Sequence, residues 1–100
     1  MNFIYEENLR EYMRRKNKKT IIVEVAECNC TDLEVQELHV HFVDDKQAEY
    51  FKSKKRFRER ETEMGAVLLP PYRLEYDETV VFGLKSFLGF KYITHKGIKF

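Results

Sequence analysis

Tryptophan is absent from this chain of 100 residues, proline and cysteine occur twice each, and glycine four times. The two prolines stand together as Pro70 and Pro71, which excludes a proline-rich linker or recognition segment. The glycines are too scattered for a phosphate loop or a dinucleotide fingerprint, and neither motif occurs. G-x-S-x-G and H-E-x-x-H are missing as well, so no motif announces a serine hydrolase or a zincin protease. Two cysteines one residue apart build no disulfide framework and point to free thiols in a reducing compartment. No run approaches the roughly 18 apolar residues of a membrane span. Glu6, Glu7 and Arg10 charge the N-terminal segment before any apolar stretch develops, unlike a secretory signal. These absences predict a cytoplasmic protein with no membrane partner.

What is present suits one small domain spanning residues 1–100. Hydrophobic residues make up 43% and aromatics 14%, enough for a single core, and charged residues make up 35%. The net charge of +1 conceals a basic–acidic–basic order. Residues 10–19 and 52–60 each carry six basic side chains against one acid, whereas residues 24–50 carry eight acids against Lys46. The second basic run has Phe57 at hand for base stacking. No ribonucleoprotein motif, helix-turn-helix or G-x-x-G loop accompanies it. A solvated face without specific nucleic-acid affinity is the expectation.

Apolar spacing predicts an amphipathic helix over residues 5–16, packed through Leu9, Tyr12 and Met13. Strands are expected at 20–27 and 35–43, joined by a polar loop, with a single helical turn near 46–51. Further strands are expected at 58–64, 66–69, 79–84 and 90–94, with a turn or short helix at 85–89. The predicted fold class is α+β, mostly β: one N-terminal helix followed by a compact, largely antiparallel β core. That core should draw on Ile21 or Ile22, Val23, Val25, Leu38, Val40, Phe42, Val67, Val81, Phe87 and Ile93.

Chemistry is concentrated between residues 23 and 43. Cys28 and Cys30, separated by Asn29, begin the polar loop after a β-branched strand. In extended backbone two residues spaced by one turn to the same side, which suits a soft metal. Structural zinc more often takes C-x2-4-C pairs, and two of them. His39 and His41 share the strand face opposite Leu38, Val40 and Phe42, a spacing that also describes an ordinary wet face. Glu24, Glu27, Asp32 and Glu34 flank the thiols, and this negative field favours a bound cation over a spontaneously acidic thiolate. Cys28 and Cys30 are therefore candidate metal ligands, with His39 or His41 as further ligands. His95 carries no signal.

The order of features resembles a HesB-like domain, the fold of the A-type iron–sulfur carriers. The matching features are the helix at residues 6–16, the strand at 21–27 running into Cys28, and the returning strand at 38–43. The stretch Leu84-Lys85-Ser86-Phe87-Leu88-Gly89-Phe90-Lys91, with Gly97-Ile98 behind it, is similar to small HesB-related proteins of anaerobic bacteria with paired cysteine or selenocysteine. Of the A-type ligand set only Cys28 carries over, because no cysteine stands near the C-terminus. The resemblance implies a small thiol-site protein that binds its ligand through the C-x-C loop, more a binding protein than an enzyme. Its cargo would be zinc, an iron–sulfur cluster or a labile sulfur or selenium species. Its partners would be a second copy sharing thiols or a sulfur-trafficking protein. A thiol redox enzyme using Cys28 and Cys30, and a non-catalytic interaction module, are the alternatives.

Overall fold

The computed structural model describes residues 1–28 and 35–99. The chain opens with strand β1 (Asn2–Tyr5), followed by helix α1 (Glu7–Lys16), β2 (Thr20–Cys28) and β3 (Val35–Phe42). Helix α2 (Asp45–Lys54), β4 (Arg58–Thr62), β5 (Gly65–Leu69), β6 (Glu75–Phe87) and β7 (Phe90–Lys99) complete it. The fold is mostly β, but the expectation of one helix before a largely antiparallel β core is overturned. Among the described residues there are two helices, a strand precedes the first, and both sheets are mixed. One sheet has the order β1-β6-β7 with β1 parallel to β6, and the other β3-β2-β5-β4 with β2 parallel to β5.

Local chemistry explains α2, which apolar spacing alone does not. The Asp44 side chain accepts a hydrogen bond from the Gln47 amide at 2.7 Å, and the Asp44 amide donates to Gln47 Oε1 at 3.2 Å. This reciprocal cap satisfies two amides that the first helical turn would otherwise leave unpaired. Lys52 and Lys54 lie in the last turn, where positive charge meets the negative end of the helix dipole. The basic run from 52 to 60 is thus divided between a helix end and β4.

The two sheets pack through a main core, with α2 beyond the second sheet as a third layer. The main core joins Tyr5, Val80, Phe82, Ile93 and Ile98 of the first sheet to Ile21, Val23, Val67 and Leu69 of the second. Leu9 and Met13 of α1 complete it. On the far side of β2 and β5, Ile22 and Leu68 meet Ala48 of α2 and Val43, flanked by Phe51 and Phe57. Ile21 and Ile22 are therefore both buried, in different cores. A strand covered on both faces reads as a continuous apolar run, which is why alternation could not choose between them. Gly65, at φ 143°, starts β5, where an added Cβ would fall 2.0 Å from the Lys19 carbonyl oxygen.

Of the residues expected in the core, Val25 is only partly buried and two others are elsewhere. Val81 is only partly buried, on the outer face of the β1-β6-β7 sheet opposite Lys96, and Phe87 is largely exposed at the end of β6. The last strand, expected at 90–94, runs on to Lys99 with Gly97 inside it at φ 94°. Among the described residues no helix is long and apolar enough to cross a membrane.

Candidate functional site

The histidines are carried by β3, whose alternation works as expected. Leu38, Val40 and Phe42 pack on the main core, while His39 and His41 face away and are exposed. Antiparallel pairing sets His39 opposite Glu24 and His41 opposite Ile22. His41 Nε2 pairs with the Glu24 carboxylate, and His41 Nδ1 lies 3.1 Å from the Phe42 carbonyl oxygen. A neutral ring can donate to only one of these acceptors at a time. His39 Nε2 lies 3.4 Å from Glu37 Oε2 on the same strand. Both imidazoles are thus occupied by carboxylates of their own sheet.

Cys28 is the last residue of β2 and pairs with Val35. Cys30, the second expected thiol ligand, lies outside the described residues. Four rungs separate the Cys28 pair from the Glu24–His39 pair. At about 3.4 Å per residue that is roughly 13 Å along the ladder. Ligands of one zinc ion all lie about 2.0–2.3 Å from it. The backbone does not bring Cys28 to either histidine, so a shared site of Cys28 with His39 or His41 does not fit this ladder. Among the described residues no group of three or more His, Cys, Asp or Glu side chains is arranged to hold a metal.

A second, unanticipated locus is the turn between β6 and β7. Its last rungs are Lys85 with Tyr92, Ser86 with Lys91, and Phe87 with Phe90. Leu88 and Gly89 form the two-residue turn, at φ 50° and 84°. Two positive φ values are what a type I′ hairpin turn requires, and Asn-Gly is the sequence that adopts them at least cost. Leu84 and Ile93 face the core, so alternation turns the Lys85–Tyr92 and Phe87–Phe90 rungs to the outer face of the sheet. Strand β1 pairs with β6 only as far as Phe82, and beyond it the hairpin stands two strands wide. Phe87, Leu88 and Phe90 are consequently 66%, 82% and 78% exposed, and Tyr92 48%.

Phe87, expected in the core, stands instead at the tip of this hairpin. A better signal was available in charge: residues 79–100 contain no Asp or Glu, yet hold Lys85, Lys91, Lys96 and Lys99. An apolar tetrad, Phe87-Leu88-Gly89-Phe90, sits between the first two of these lysines.

Between the edge strands β3 and β7 lies a small cleft of about 140 Å³. Val40, Phe42, Leu84 and Ile93 line it with Tyr12, His41, Lys91 and Tyr92. The Lys91 ammonium lies 5.4 Å from the centre of the Tyr12 ring, a cation–π distance. This volume is well below the roughly 300 Å³ at which ligand pockets begin. Deeper in the sheet, Tyr76 Oη and His95 Nδ1 are buried with no hydrogen-bond partner among the described residues. Burial raises the Tyr76 phenol above its ordinary value and lowers His95 below its own.

Comparison with protein-family models, curated proteins and solved structures gives no match.

Proposed function

We propose that the protein is a non-catalytic interaction module that engages its partner through the β6–β7 hairpin tip. One observation carries this reading: three large apolar side chains, Phe87, Leu88 and Phe90, stand together in water at the end of an otherwise regular hairpin. Neighbouring exposed apolar residues on a small protein mark a contact surface more often than chance. Folding gives no reason for them. Leu88 takes left-handed backbone, which costs a side chain with a Cβ about 1–2 kcal/mol, where Asn would serve the turn better. Local strain retained at an exposed position points to use of that position.

Replacing Leu88 with a photoreactive benzoylphenylalanine tests the reading in cells. Light-dependent adducts are expected from position 88 and not from position 72, where Tyr72 is also a large exposed side chain. Adducts of equal yield at both positions, or none at 88, would remove the tip from any docking role.

A further inference from the structure

We infer that the surface engaged by the tip is an anionic lipid interface, entered to headgroup depth; this rests on the tip being the docking element. The shape is the first argument. The tip is convex and two residues wide at its end, and a fluid interface accepts a protruding apolar wedge without a matching pocket. Its backbone suits an apolar medium as well. The ladder remains paired to the Phe87–Phe90 rung, so only the Leu88-Gly89 turn carries peptide groups beyond it. Unpaired peptide groups are what a lipid environment penalises most.

Charge is the second argument. Lys85 and Lys91 flank the apolar tetrad, and no acid occurs anywhere from residue 79 onward. Lys85 lies on the Tyr92 rung, two residues behind Phe87 and Phe90. Two residues of strand span about 7 Å. Interfacial anchors bury their apolar face about 5–10 Å below the headgroups. When Phe87, Leu88 and Phe90 are immersed, Lys85 and Tyr92 reach the level where lysine and tyrosine are favoured at membrane interfaces. Lys91 leans back over Tyr12, away from the apolar end. A tip of this kind needs no long apolar run, so the absence of one in the sequence does not argue against it.

The chain contains no tryptophan, so Phe90→Trp supplies a sole reporter at the tip. With vesicles containing phosphatidylserine, its emission should shift to the blue and be quenched by brominated acyl chains. Binding measured by co-sedimentation should weaken with salt, and on the order of tenfold or more when phosphatidylcholine replaces the anionic lipid. Leu88→Asn fits the turn better than the native residue, so it folds, and it should lose binding by a similar factor.

Four results would overturn the inference. Vesicle binding that survives Leu88→Asn would place the lipid contact elsewhere, for instance on the basic residues of α2 and β4. Vesicles left unbound while position 88 crosslinks to a protein would make the partner a protein and leave the tip reading intact. Self-association in place of vesicle binding, abolished by Leu88→Asn, would make the occupant a second copy. Neither vesicle binding nor an adduct at 88 would dispose of both readings together.

Discussion

The molecule contains two long antiparallel hairpins, β2–β3 and β6–β7, and they handle their exposed faces in opposite ways. On β2–β3 the histidines have carboxylates of their own sheet beside them: Glu24 pairs with His41, and Glu37 lies next to His39. On β6–β7 the residues are chemically ordinary, but their position is not. Phe87 and Phe90 are turned to the outer face of the sheet, Leu88 is in the turn, and the hairpin runs on past the end of β1, which pairs no further than Tyr5 with Phe82. Residue type directs attention to the first hairpin and geometry to the second. A histidine with a carboxylate beside it is satisfied, whereas a phenylalanine in water is not.

The widest separation between root and tip should come from truncating one ring in each. Phe82 is fully buried, and Phe82→Ala should cost about 3–5 kcal/mol in urea unfolding. Phe87→Ala should stay within about 0.5 kcal/mol. Equal costs would mean that the tip is packed in solution. Next in size, Leu88→Asn should stabilise the fold by about 1 kcal/mol, since it relieves left-handed backbone at φ 50°. A loss of stability would show that Leu88 earns its place by packing within the monomer.

A smaller effect is expected from His95, opposite Phe82 at the root. Burial holds its ring below the ordinary 6.5, so the unfolded chain takes up a proton that the folded chain resists. This contribution to stability is complete above pH 6.5 and declines as pH falls below that value toward the lowered one. Thermal melts of His95→Phe should lack this limb, and a slope unchanged by the substitution would mean that the ring is hydrated. Last comes an effect expected to be nil. The ladder holds His39 and His41 away from Cys28, so the His39→Ala/His41→Ala double variant should bind zinc as the native chain does. A tenfold or greater loss, of the kind that follows removal of even a supporting group, would bring the two ends of β2–β3 together as one site.

Where neighbours in sequence are neighbours in space, the fold was legible. The strands expected at 20–27 and 35–43 correspond to β2 and β3, and the outward alternation of His39 and His41 was read from period two alone. Helix α1 was found to within two residues. Its first expected residue, Tyr5, belongs instead to β1, where its hydroxyl makes a 2.7 Å hydrogen bond with Thr62. Helix α2 was reduced to one turn because its apolar stripe is short; the information lay in the Asp44–Gln47 cap. The parallel pairs β1/β6 and β2/β5 leave no local trace, since a parallel partner is always reached by a crossover. Val81 and Phe87 show a similar limit. Their composition is that of core residues, and only the face of the β1-β6-β7 sheet on which pairing places them decides that they are not. Of the candidate site residues, His39 and His41 were placed on the correct face, Cys28 at a strand end, and Cys30 falls outside the described residues.

The pairing of β1 with β6 also has a consequence in time. Asn2 meets Thr79, a separation of 77 residues in sequence (79 − 2), and Tyr5 meets Phe82 at the same separation. During synthesis β1 leaves the ribosome 77 residues ahead of its hydrogen-bonding partner. Until then the second sheet can form, but Tyr5, Leu9 and Met13 have only half of their core to pack against. Contacts so distant along the chain slow the final step of folding and prolong the exposure of an unpaired strand. A nascent chain stalled before residue 79 should therefore bind chaperones that recognise extended apolar segments, with residues 2–5 as the part they hold.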